Sequence, residues 1–340
     1  VALFRLAVAA LAFAGLSAAL ASQTTAPEIA TLKPVAAVPA HVLAQMQDPS
    51  TVARTADGDY LILDRRAHTV FRVDRLGQSV RRLMDVGHEP GRLLRPAVLS
   101  MGRGDIFAVL DAPNGLQRIQ YFDTSGVHLG GFFLPIVGSP SLVTGNVVVS
   151  GVGAMAFLGK TFLVNEPAWG SLVAELDTAG AVLRHVGQLR LTGHEHDPDL
   201  HQALNIGLPV ALPSGGFFFV FQTGIPLFRK YSAAGQLLFE RHIEGAELDP
   251  VIQTLPNRWL ERPAGTRPFP EPTIQTAGVD ADGRLWVALR TGQVYVYDPS
   301  GQKIRVVRLE GVRPLRPSSF FFTRERRLLV APDGYEFEAR

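Results

Sequence analysis

The densest run of chemistry-bearing side chains lies at residues 193–201, which holds His194, Glu195, His196, Asp197, Asp199 and His201. In an extended segment, alternate side chains share one side. His194 and His196 then face together and His201 can fold back, a donor set that suits zinc or copper. The plainer reading is a solvated insertion, because one loop seldom builds a whole metal site. A second group is dispersed: Asp64, Asp111, Asn165, Glu166 and Arg290 each stand just after an apolar run. If those runs are equivalent strands, the side chains meet at one mouth, and carboxylates beside an amide would hold a hard cation such as calcium. Against this, acids after strands commonly hydrogen-bond their own turns. Trp169 follows Asn165 and Glu166. Trp259 stands in a proline-rich insertion at 244–272 with Arg258, Arg262 and Arg267, an aromatic among guanidinium groups that could grip an acidic, carbohydrate or peptide ligand.

Other chemistries are excluded. The chain has no Cys, so disulfides, zinc–thiolate sites and thiol nucleophiles are absent. Gly151-Val152-Gly153-Ala154-Met155-Ala156 imitates a dinucleotide fingerprint, and Gly153 to Gly159-Lys160-Thr161 imitates a phosphate loop. The first lacks a following helix, and the second has the wrong spacing and runs into a strand. No nucleophile elbow or paired-histidine zinc motif occurs.

What must position the candidate residues is an internal repeat. One ladder is a turn glycine followed by an apolar strand, at Gly58, Gly104, Gly159, Gly215 and Gly283. The other is a strand ending in a polar residue, two more residues and a glycine: Asp74 to Gly77, Asp123 to Gly126, Asp177 to Gly180, Ser232 to Gly235 and Asp298 to Gly301. Successive glycines of the first ladder are 46, 55, 56 and 68 residues apart, whereas the offset between the two ladders is nearly constant. A conserved hairpin with variable links is one supersecondary unit copied along the chain. Each unit reads as four strands. The second strand of each is apolar throughout, so both of its faces need cover, which small sheets stacked radially provide. A sixth unit, at 318–339, has residues for three strands only, and the segment at about 28–46, with its apolar stretches at 29–32 and 35–38, is expected to supply the fourth and close the ring.

The second unit carries a family likeness. Gly87-His88-Glu89-Pro90-Gly91-Arg92-Leu93-Leu94-Arg95-Pro96 is followed by Gly104-Asp105-Ile106-Phe107-Ala108-Val109-Leu110-Asp111, Asn114, and then Arg118-Ile119-Gln120-Tyr121-Phe122-Asp123 with Gly126. This resembles the NHL-type six-bladed β-propellers, with Gly115-Leu116-Gln117 as a small insertion. The resemblance implies an all-β fold of six four-stranded antiparallel blades over residues 31–340, closed by an N-terminal strand in the last blade. It also implies a ligand face built from the inter-blade loops and the loops between second and third strands. It does not choose a function, since such propellers include interaction platforms, lyases and lactone hydrolases.

Residues 1–21 carry one charge, Arg5, then an apolar run ending in Ala19-Leu20-Ala21, the pattern of a secretory signal peptide. Residues 22–30 read as a linker. The expected location is periplasmic or secreted, with no membrane span in the mature chain. Among 340 residues, 33 Lys and Arg face 31 Asp and Glu, a balance too even for nucleic-acid wrapping. The leading expectation is an exported monomeric binding module for a protein, peptide or carbohydrate. The alternative is a calcium-type metal-dependent hydrolase or lyase at the channel mouth.

Overall fold

The computed structural model describes residues 29–102, 104–135, 141–144, 147–150, 154–260 and 270–340. The signal peptide expected at 1–21, the glycine run at 151–153, and Arg262 and Arg267 lie outside the described residues. Blade 1 consists of Pro49–Arg54, Tyr60–Asp64, Thr69–Val73 and Val80–Arg82. Blade 2 consists of Val98–Met101, Ile106–Asp111, Arg118–Asp123 and His128–Phe133. Blade 3 has Met155–Phe157, Thr161–Val164, Ser171–Asp177 and Val182–Gln188. Blade 4 has Gly207–Ala211, Phe217–Phe221, Leu227–Tyr231 and Leu237–His242. Blade 5 has Ile274–Val279, Leu285–Leu289, Gln293–Tyr297 and Lys303–Leu309. In each of these the strands pair antiparallel in chain order. The first strands touch one another in the cyclic order of the blades and return from blade 6 to blade 1. The chain is a six-bladed β-propeller.

Blade 6 takes Ser319–Phe322, Arg327–Ala331 and Tyr335–Glu338 from the end of the chain. Its outer strand is Ala36–Ala37, antiparallel to Tyr335–Glu338, with Val35 and Val38 donating to the carbonyls of Glu336 and Gly334. The other expected stretch, Ile29–Leu32, goes elsewhere: it adds a fifth strand to blade 5, parallel to Lys303–Leu309. Pro34 lies between the two pairings and has no N–H with which to continue a ladder.

Side-chain parity explains the unbroken apolar strands. In blade 4, Phe217, Phe219 and Phe221 face blade 3, while Phe218 and Val220 face blade 5. In blade 1, Leu61 and Leu63 pack toward blade 2, while Tyr60 and Ile62 pack toward blade 6. The core is therefore a set of clusters between neighbouring blades. Each fully buried large apolar side chain contributes about 1.5–3 kcal/mol relative to exposure.

The second ladder forms the turns between third and fourth strands. Asp123 Oδ1 accepts from the amides of Ser125 and Val127, and Asp298 Oδ1 accepts from those of Ser300 and Gln302. Gly180 shows why the last position is glycine: its φ is +87°, and a Cβ there would sit 2.5 Å from the ring of Phe132.

The uneven spacings have visible causes. A hairpin of Ser141–Thr144 with Val147–Ser150 separates blades 2 and 3. Helix Pro198–Ala203 separates blades 3 and 4, and helix Asp249–Leu260 separates blades 4 and 5. Among the described residues, no helix is long and apolar enough to cross a membrane.

Candidate functional site

The six inner strands enclose an axial channel of about 370 Å³. Val98, Met155, Leu208 and Phe320 contribute to its apolar wall, and Arg65, Gln222, Gln275 and Ser318 also border it. Arg65 is held by Asp48, with Nε donating to Oδ2 at 3.0 Å. Gln222 donates Nε2 to the carbonyl of Gln275 at 3.2 Å.

The residues expected to ring this mouth are occupied in holding the fold. Asp64 is fully buried and accepts from the amides of Gln47, Asp48, Arg66 and Ala67 at 2.6–3.1 Å. Its two oxygens thereby lock the segment entering blade 1 to the turn leaving its second strand. Asp111 stands opposite Arg118 in the ladder and receives its Nε at 2.9 Å and its Nη2 at 2.7 Å. Arg118 also donates to the carbonyls of His88 and Arg92, pinning the glycine-rich link. Asn165 joins blades 3 and 4: Nδ2 donates to the carbonyl of Leu172, and Oδ1 accepts from the amide of Gly207. Glu166 is buried and caps the 3-10 turn Pro167–Trp169, accepting from the amide of Ala168. Arg290 is exposed and ion-pairs with Glu271.

The histidine run departs from the extended geometry expected of it. Asp197 caps the helix Pro198–Ala203, accepting from the amide of Leu200, so His201 sits on a helix. The pair Asp197-Pro198 is a local signal of that start. The rings of His194 and His196 are 6.3 Å apart, while His201 Nδ1 lies 2.8 Å from Thr192 Oγ1. Among the described residues, no three His, Asp or Glu side chains are arranged to hold a metal ion. Trp169 is half-buried with its ring edge-on to His185. Trp259 and Arg258 lie on the helix Asp249–Leu260.

A cavity of about 810 Å³ opens between blades 3 and 4. One wall is the end of blade 3 and the link beyond it, with Leu189, Arg190 and Leu191; the other is blade 4, with Leu227, Arg229, Leu237 and Glu240. His194 from the first insertion and Ile252 and Leu255 from the second also border it. The two segments singled out in the sequence thus meet at one groove. Leu191, Ile225 and Leu237 expose more than half of their surface there.

Arg190 is the unusual group in this groove. It is 9% exposed, lies 4.5 Å from the centre of the Phe221 ring, and makes no ion pair among the described residues. Its guanidinium donates instead to the carbonyls of Leu204, Thr223 and Ile225. Removal from water, reinforced by the like charge of Arg229, pushes its pKa down to about 10 against the pull of Glu240. Glu240 itself is bonded to Arg229 at 2.6 Å. Nothing in Leu189-Arg190-Leu191 marks this arginine as special in sequence, because its environment comes from Leu204 at the end of the following insertion and from blade 4.

No family model and no curated protein matches the chain. Among solved structures it is similar to virginiamycin B lyase from Staphylococcus aureus, at 11% identity and a TM-score of 0.49 over 85% of this chain and 83% of that one. A streptogramin B lyase gives 12% and 0.47 over 85% and 92%. A protein of unknown function from Bacteroides caccae gives 14% and 0.48 over 80% and 85%. At these identities and scores none of them bears on what this chain binds.

Proposed function

We propose that the chain is an exported propeller of the NHL type that works as a binding module, with its ligand held in the groove between blades 3 and 4. One observation carries this reading: two insertions that the repeat does not require converge on a cavity of about 810 Å³. That volume falls within the roughly 300–1,000 Å³ typical of small-molecule sites. The acids considered for a hydrolytic centre are, by contrast, bonded to backbone amides or to Arg118.

A thermal-shift screen of compounds differing in charge and polarity tests the reading when run in parallel on the groove-filling variant Leu237→Trp. Ligands of the groove raise the melting temperature of the parent and not of the variant. Shifts that survive in the variant would place binding elsewhere and overturn the assignment. A calcium chelator leaves the melting temperature unchanged; a chelator-dependent fall would favour the hydrolase alternative. Export is tested by N-terminal sequencing of protein recovered from the periplasm of a bacterial host, where the chain is expected to start at Ser22.

A further inference from the structure

We propose that the groove between blades 3 and 4 selects an amphipathic monoanion, an aliphatic body with one carboxylate head, and that Arg190 is the residue that receives the head. The proposal rests on the groove being the binding site and adds the class of ligand.

Charge comes first. Arg190 and Arg229 face the groove with Glu240, two guanidiniums against one carboxylate, and Glu240 is already bonded to Arg229. One positive charge is left over, and it lies on the more buried arginine. Burying a cation without an ion pair of its own is costly, and here the compensation comes from carbonyl dipoles, the Phe221 ring and the more distant field of Glu240, which is already bonded to Arg229. A guanidinium has five N–H groups. Hydrogen bonds to Leu204, Thr223 and Ile225 use four of them, leaving one on Nη1 for an incoming oxygen. An anion at that point gains a charge-assisted hydrogen bond in a partly dry setting, where such bonds are about twice as strong as neutral ones.

The body of the ligand follows from the walls. Leu189, Leu191, Ile225, Leu237, Ile252 and Leu255 offer aliphatic surface; among the described residues, Arg190 and Arg229 are the arginines that border it, and no lysine does, while His194 and His242 also line it. Such surface suits an alkyl chain better than a sugar or a polyanion, either of which would leave polar groups without partners.

Calorimetric titration with dodecanoate and dodecylammonium, each below its micelle concentration, and with dodecanol below its solubility limit, tests the proposal on the parent, Leu237→Glu and Arg190→Met. Leu237 is more than half exposed, so Leu237→Glu keeps the fold while placing a negative charge at the groove. Dodecanoate is expected to bind the parent at least tenfold more tightly than dodecanol. It should lose at least tenfold on Leu237→Glu and on Arg190→Met, and dodecylammonium should not bind. If dodecanol equals dodecanoate and both are lost on Leu237→Glu, the groove is the binding site but the anion preference is wrong. If dodecanoate binds equally to the parent and Leu237→Glu, Arg190 is not the receiving group and the proposal falls. If none of the three probes binds and hydrogen exchange at 188–192 and 237–242 is unaltered by them, the inference falls, and the groove reading stands or falls on the thermal-shift screen.

Discussion

The buried charges of this protein do mechanical work. Arg118 and Asp111 are 4% and 1% exposed, and together they tie the glycine-rich link to the hairpin of blade 2. Removing one partner strands the other in a low-dielectric site, which typically costs about 3–5 kcal/mol. Arg118→Met should therefore lower unfolding stability in urea by about that amount, whereas the double variant with Asp111→Asn should lose less than the sum of the singles. Additive losses would show that the two residues act independently. This pairing had a trace in the sequence, since strands flanking 112–117 set Asp111 opposite Arg118. Asp64 had half of one: the amides of Arg66 and Ala67 belong to its own turn, whereas those of Gln47 and Asp48 come from before the blade begins. Arg190 likewise depends on Leu204, from the insertion that follows it, and on Thr223 and Ile225, which the stacking of blades brings near. Local chemistry is legible in a sequence; contacts supplied by a neighbouring blade are not.

At the scale of elements, the repeated turn sets the response to acid. The Asp298 carboxyl is held below the usual carboxylate range first by the Ser300 hydroxyl, then by the amides of Gln302, Ser300 and Gly301, against partial desolvation. In Asp74 and Asp123 desolvation pushes upward, and the combined hydrogen bonds outweigh it. A carboxyl that binds its proton less readily when folded contributes stability above about pH 4, and that contribution is lost as pH falls further. The melting temperature should drop through the acidic range, and the drop should be shallower in the triple variant Asp74→Asn, Asp123→Asn, Asp298→Asn, in which the amide oxygen keeps the turn but does not titrate. An identical pH profile for parent and variant would remove these turns from the account. The strands themselves were readable because parity leaves no polar position in Phe217–Phe221 or most of Leu285–Leu289, and only cover on both faces explains that. The helix Asp249–Leu260 leaves little trace in the sequence, since its prolines argue for an irregular loop, although Pro250 occupies the first turn, where a missing N–H costs nothing.

The whole molecule depends on its seam. Glu336 of blade 6 accepts the Tyr60 hydroxyl at 2.5 Å and the Arg54 guanidinium at 3.2 Å, binding the last blade to the first. Burial, aided by the hydrogen bond to Glu336, pushes the Tyr60 hydroxyl up to about 12. The folded chain therefore holds that proton more tightly than the unfolded chain, so the stability it contributes is intact below about pH 10 and fades as pH rises toward 12. Tyr60→Phe should flatten the alkaline fall in melting temperature. The seam also makes a graded prediction about the N-terminal strands. Cutting the chain before Pro34 removes Ile29–Leu32, which only widens a blade already four strands across, and should cost little. Cutting it before Pro39 also removes Ala36–Ala37 and the buried Val38, leaving Tyr335–Glu338 as an unpaired edge in a three-stranded blade. Open edges recruit other chains. The shorter cut should leave a species of unchanged size in gel filtration with a slightly lower melting temperature. The longer cut should melt far earlier and associate as concentration rises. If both truncated chains behave alike, the seam is not made by Ala36–Ala37, and closure must come from the side-chain clasp at Glu336.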